Sequence, residues 1–253
     1  MRDRSRLEQH ARSFGQAADV YAASRPGYPQ DAVDWLVPSD ARTVLDLGAG
    51  TGKLTTLLAR SGREVIAVDP SADMLARLTA SAPDVEVHVG TAESIPLPDA
   101  SVDAVTVAQA WHWVDAARAV PEVARVLRPG GTLGLVWNTR DESVDWVAQL
   151  GEIMGGTAHY EMADDAPPVG SPFTPLESST TRWLQPLAPA AVLDLVRSRS
   201  YFLVRTAGEQ DATLAAVQDL LDSHPDLAGR VTIELPYVTE CFRARLGADR
   251  PVR

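Results

Sequence analysis

The sequence predicts an α/β protein whose first half runs strand, turn, helix, strand, and three observations carry that reading. Val44-Leu45-Asp46-Leu47 is a short apolar run that leads into the glycine-spaced segment Gly48-Ala49-Gly50-Thr51-Gly52. Lys53 to Arg60 follows, with Leu54, Leu57 and Leu58 at helical spacing and Gly62 just beyond. Glu64-Val65-Ile66-Ala67-Val68 is a second apolar run, and it ends on Asp69. Short apolar runs bounded by glycine or acid are the pattern of strands buried in a parallel sheet.

Taken in order, these elements make a βαβ unit with a binding function. A glycine has no Cβ, so alternate glycines let the backbone turn sharply and approach a ligand that side chains would hold off. A carboxylate roughly 20 residues after the first glycine, at the end of the next strand, can accept both hydroxyls of a ribose. Asp69 stands at that distance from Gly48. The duller alternative is a glycine turn with no ligand. Dinucleotide enzymes place a glycine or alanine at the sixth position of the motif, where this chain has Lys53, and no Tyr-x-x-x-Lys pair is present.

Downstream, Val102 to Ala108 reads as a strand, Pro121 to Leu127 as a helix, and Arg128-Pro129-Gly130-Gly131-Thr132-Leu133 as a turn entering another strand. Asp145 to Ile153 has helical periodicity and ends at Gly155-Gly156, after which a Pro- and Gly-bearing loop runs to about Pro175. Thr180 to Leu184 is a short strand, Ala190 to Arg197 and Leu214 to Leu221 are helices, and Val231 to Arg243 is the final strand. There are no internal repeats.

The run acid-x-Gly-x-Gly-x-Gly after a strand, Asp46 to Gly52, resembles motif I of the class I S-adenosylmethionine-dependent methyltransferases. The resemblance continues through Gly90-Thr91-Ala92-Glu93-Ser94-Ile95-Pro96-Leu97-Pro98-Asp99, which looks like the family's loop over adenine, with Thr91 where members often carry an acid. It spans residues 14 to 138 and is nearest to the type 11 small-molecule branch, which includes trans-aconitate and quinone-precursor methyltransferases. Phe14 to Tyr21 and Arg25-Pro26-Gly27-Tyr28-Pro29 resemble the leading helix and loop that cover the cofactor.

That resemblance implies a Rossmann-like methyltransferase fold: a seven-stranded, mostly parallel sheet with an antiparallel last strand and helices on both faces. It implies an N-terminal helical lid over 1–40, a cofactor-binding core over 41–150, and cap helices with C-terminal strands over 151–253. S-adenosylmethionine would lie beyond the carboxyl ends of the strands. Gly48, Ala49, Gly50 and Gly52 would border its methionine part, and Asp46 would orient the amino group or, equally, stabilise the turn. Asp69 and Pro70 would hold the ribose. Met74, Thr91, Ala92 and Glu93 would border adenine, Gln109 would close the end of the fourth strand, and Tyr21 and Arg25 would cover the cofactor.

The acceptor belongs near Gln109-Ala110-Trp111-His112-Trp113. Trp111 and Trp113 around one imidazole would make an apolar wall with a single polar group, Tyr28 would close it, and His112 would be the base for an acceptor that must lose a proton. The alternative reading makes these aromatics core. Trp183, Tyr201, Phe202 and Tyr237 read either as core or as the lining of an acceptor pocket.

Composition narrows the functions. The net charge of −11 opposes a phosphate-neutralising surface, so nucleic acid is not the expected partner. The charged start Arg2-Asp3-Arg4 lacks an apolar signal core, and no run reaches membrane-spanning length. Cys241 is the single cysteine, which suits a reducing cytoplasm, and His10, His88, His112, His159 and His224 are scattered without metal-ligand spacing. Methyl transfer to a small-molecule acceptor is the expected function. A non-catalytic S-adenosylmethionine-binding module and a nucleotide-linked oxidoreductase are the alternatives, and oligomeric state is left open.

Overall fold

In the computed structural model, which describes residues 26–154 and 166–247, every residue of β1 (Thr43–Leu47) is buried. That is the burial its apolar run demands of a central parallel strand. β2 (Glu64–Asp69), β3 (Glu86–Val89), β4 (Val102–Ala108) and β5 (Leu127–Arg140) join it in parallel. β6 (Glu177–Leu187) and β7 (Ile233–Arg245) complete one seven-stranded sheet in the order β3-β2-β1-β4-β5-β7-β6.

β7 is antiparallel to β5. Leu246 N–H donates to Gly131 O at one end, and Asp141 N–H donates to Pro236 O at the other, so numbers rise along one strand as they fall along the other. The order reverses between β1 and β4, and a crevice at the carboxyl ends of the strands follows from such a switch point.

Helices cover both faces. Leu45 and Leu47 of β1 pack with Val105, Leu133 and Leu135 against Ala119, Val120 and Val123 of α4 (Ala116–Val126). The alternate residue Val44 packs with Ala104 and Val136 against Val33 and Leu36 of α1 (Gln30–Leu36) and Leu58 of α2 (Thr55–Arg60). α3 (Ala72–Ser81) lays Leu75 and Leu78 on Ala67 of β2.

The chain divides into two units whose boundaries fall within β5, β6 and β7. The larger holds 27–138, 166–181 and 239–247 of the described residues. The smaller holds residue 26, 139–154 and 182–238 of the described residues. In the smaller unit α5 (Asp145–Ile153), α6 (Pro189–Arg197), α7 (Ser200–Leu203) and α8 (Ala207–Ser223) build their own core, which includes Trp146, Leu150, Val196, Val217 and Tyr237. Residues 27–40 pack in the larger unit, where α1 contributes Ala32, Val33 and Leu36 to the core.

Several bounds differ from the sequence expectation. α4 begins at Ala116, five residues before Pro121, because Asp115 accepts the Ala117 N–H as its cap, and Leu127 already belongs to β5. β6 runs from Glu177 to Leu187 instead of Thr180 to Leu184, since its alternation of exposed and half-buried residues extends beyond the apolar centre. α8 starts at Ala207 rather than Leu214, set by a capping box in which Thr206 and Glu209 each bond the other's backbone.

Candidate active site

The glycine turn after β1 is latched to the end of β2. Gly48 N–H and Ala49 N–H both donate to Val68 O, at 2.7 and 3.1 Å. Gly48, Gly50 and Gly52 all have positive φ, at 74°, 56° and 86°, a region where a Cβ is strained. They differ in what a Cβ would meet among the described residues: Ala110 Cβ at 3.1 Å from Gly48, Leu78 Cγ at 2.8 Å from Gly52, and nothing within 4 Å at Gly50. Gly48 and Gly52 are therefore packing glycines as well, while Gly50 faces open space.

Asp69 ties the two strands together over that space. One carboxylate oxygen accepts Gly50 N–H at 2.9 Å and the other accepts Ser71 N–H at 2.8 Å. Burial raises its pKa, and these two backbone bonds oppose the rise. Asp46 is buried on β1, accepting the Thr55 hydroxyl at 2.6 Å and the Thr106 hydroxyl at 3.4 Å. Burial pushes its pKa up to about 6, against the pull of those hydroxyls, with the Asp69 charge adding to the rise.

At the end of β4, Gln109 turns the chain with a φ of 56°, and its side chain donates to Asn138 O at 3.0 Å. A 3-10 turn then carries Trp111, His112 and Trp113. Successive residues of such a turn point about 120° apart, so the three do not form one wall. Trp111 is 1% exposed and packs in the core, its Nε1 without a hydrogen-bond partner among the described residues, while Trp113 is 42% exposed. The partner that defines His112 comes from β5, where Trp137 Nε1 donates to His112 Nδ1 at 3.3 Å. Burial lowers the His112 pKa to about 4. The ring is thus neutral at neutral pH, with Nδ1 an acceptor and the proton on Nε2.

The methyltransferase domain family matches residues 45–135, the stretch from β1 through β5. Across 234 residues the chain is 55% identical to a protein of Mycobacterium tuberculosis named an uncharacterized methyltransferase, covering 92% of this chain and 96% of that one. The chain belongs to the methyltransferases. An uncharacterized methyltransferase-like protein of Schizosaccharomyces pombe is 34% identical over 88% of this chain and 91% of its own. The solved structure of a type II methyltransferase from Anaeromyxobacter dehalogenans superposes with a TM-score of 0.66 at 29% identity, covering 89% and 99% of the two chains.

In this methyltransferase the loop after β3 is held from below. Arg125 of α4 donates to Ile95 O and Leu97 O, and Glu122 accepts Ile95 N–H. Thr91 pairs with Ser94 across a two-residue turn and is exposed, Ala92 is buried, and Glu93 accepts Asp115 N–H at 2.9 Å, helping start α4. Met74 is buried in the first turn of α3, one turn beyond Asp69, and Pro70 is exposed. Tyr28 is half-buried beside α1, packed against the core that Leu36 and Leu54 form. Tyr21 and Arg25 lie outside the described residues, as does the Tyr201 side chain. Trp183 packs against the smaller unit's core, and Phe202 and Tyr237 lie within it.

Sequence reasoning missed Trp137, Asn138 and Thr55. Thr55 carries a local signal, a hydroxyl nine residues after an acid at the start of a helix. Trp137 and Asn138 carry none, since their partners are set by strand pairing across the sheet.

Proposed function

We propose that this methyltransferase takes its methyl group from S-adenosylmethionine and places it on a small organic acceptor. The joint between turn and acid carries the proposal: Asp69 is fixed by Gly50 N–H beside the one glycine of the three whose missing Cβ leaves open space. The residues fit the cofactor. Each Asp69 oxygen has one acceptor site engaged by a backbone N–H and another for a ribose hydroxyl, next to Pro70. Gly48, Ala49, Gly50 and Gly52 border the methionine part. Asp46, oriented by Thr55 and Thr106, supplies negative charge toward its ammonium. Met74, Thr91, Ala92 and Glu93 flank the adenine, and Gln109 closes the β4 end.

The bound cofactor supplies a methyl on a positively charged sulfur, a leaving group already activated, so alignment of the acceptor contributes most of the rate. His112 is assigned to that alignment. With Nδ1 accepting from Trp137, its Nε2–H is a donor to an acceptor oxygen, and the sequence expectation of a proton-removing base is replaced by a positioning role. Trp113, tilted against the His112 ring at 4.8 Å, supplies an apolar side on the acceptor side of the turn. Tyr28 is kept as part of the proposed lid, together with Tyr21 and Arg25, which lie outside the described residues. The acidic surface favours a small molecule over a nucleic acid, and the small-molecule branch that includes trans-aconitate and quinone-precursor methyltransferases is the proposed placement. Cys241, buried with its thiol pKa pushed up to about 12, suits a reducing cytoplasm and a packing role.

Thermal shift of the purified chain with S-adenosylmethionine and with NAD tests the proposal. Stabilisation by the first and none by the second is expected, and stabilisation by NAD alone would overturn it.

A further inference from the structure

In the smaller unit, the last residue of β5 is an arginine with almost no partner. The Arg140 side chain is 7% exposed, and its only ionic contact among the described residues is Glu142 Oε1 at 3.9 Å, beyond hydrogen-bonding reach. Its buried Nε has no hydrogen-bond partner, and none of its other N–H groups bonds a described residue. Proteins rarely bury a guanidinium in this state, because the hydration it loses must be replaced by charge and hydrogen bonds.

Its surroundings explain the gap. Asp141 N–H donates to Pro236 O, and Thr139 Oγ1 to Val238 O, which sets Arg140 opposite Tyr237 on β7. Trp183 of β6 stacks on Tyr237, centroids 5.3 Å apart at 22°. Glu142 is held away from Arg140 by its seat on α5, where its Oε1 takes the room that a Cβ on Gly151 would occupy at 2.7 Å. The Glu142 side chain is 26% exposed.

From this arrangement we infer that Arg140, with Tyr237 opposite it on β7 and Trp183 stacked on Tyr237, is a binding site for a small organic carboxylate. The two Nη nitrogens of a guanidinium form a planar fork that matches the two oxygens of a carboxylate. The ligand oxygens accept from that fork. One guanidinium beside one acid suits a monoanion better than a phosphate, and the aromatic floor suits an apolar body on that anion. The site stands on the smaller unit alone and is independent of the cofactor assignment.

Tryptophan-fluorescence and calorimetric titrations of the full chain without S-adenosylmethionine test it, with benzoate and octanoate as probes and benzyl alcohol and inorganic phosphate as controls. Saturable carboxylate binding is expected, weakened at least tenfold in Arg140→Met, with neither control binding. Arg140→Lys keeps the charge without the fork, and intermediate affinity is expected; it also serves where the methionine variant does not fold. Carboxylate affinity unchanged in Arg140→Lys and Arg140→Met, no carboxylate binding, or binding of phosphate alone would each overturn the inference.

Discussion

Two buried ionisable residues set the site's response to acid, and they act in opposite directions. The folded pKa of Asp46 is raised to about 6 from 3.8, so its contribution to stability is present below the lower value and lost as pH rises through the higher. The folded pKa of His112 is lowered to about 4 from 6.5, so its contribution is present above 6.5 and lost as pH falls toward 4. Between about pH 4 and 6 the two slopes oppose each other, and wild-type stability changes little from these groups. Asp46→Asn removes a penalty on the order of 3 kcal/mol at neutral pH. Its melting temperature is expected to exceed wild type at pH 7.5 and to lose that advantage by pH 4, whereas a lower melting temperature at pH 7.5 would mean the charged form is favoured by its surroundings. For His112, a donor role predicts that His112→Gln retains turnover while His112→Leu loses it, roughly tenfold or more for one hydrogen bond of about 1.5 kcal/mol. Nitrogen NMR of the ring should find Nδ1 unprotonated, and a protonated Nδ1 at neutral pH would restore the base.

At the scale of elements, the glycine turn separates packing from binding. Gly52→Ala drives a Cβ into Leu78 of α3 in addition to straining a positive φ, so it should destabilise the fold by more than the ~1–2 kcal/mol that the left-handed conformation alone costs. Gly50→Ala meets no neighbour, so it should cost only the conformational part and instead lose ligand affinity; urea unfolding beside ligand titration reads the two apart. The elements legible in the sequence were those whose burial is decided by a local run. β2 and β4 begin and end where their apolar stretches do, and α5 spans Asp145 to Ile153 as its periodicity requires. Those misjudged were decided by caps or by partners. The start of α4 depends on Asp115, that of α8 on the Thr206–Glu209 box, and the length of β6 on a polar alternation with few apolar residues to mark it. β3, four residues without a fully buried position, offers only a short alternation of Val87 and Val89 with polar residues, and it forms against β2.

Across the whole molecule, the fold class was legible, and the proposed cofactor end of the site could be placed from sequence, because a βαβ unit concentrates its function in one contiguous stretch. Asp46, the three glycines and Asp69 lie within 24 residues of each other, and strand pairing brings them together as the motif's spacing requires. The proposed acceptor end was not legible. Trp137 reaches His112 through the pairing of β4 with β5, 25 residues on, and Arg140 becomes notable only once its neighbours fail to bond it. The assignment of the cofactor therefore rests on Asp69, and calorimetric titration of S-adenosylmethionine into wild type and Asp69→Ala measures it most directly. Binding to wild type, weakened in the variant by about 1–3 kcal/mol as expected for loss of a buried hydrogen-bonding partner, is the predicted result. Equal affinity in the two proteins, or no binding to either, would contradict the placement of the cofactor on the turn between β1 and β2.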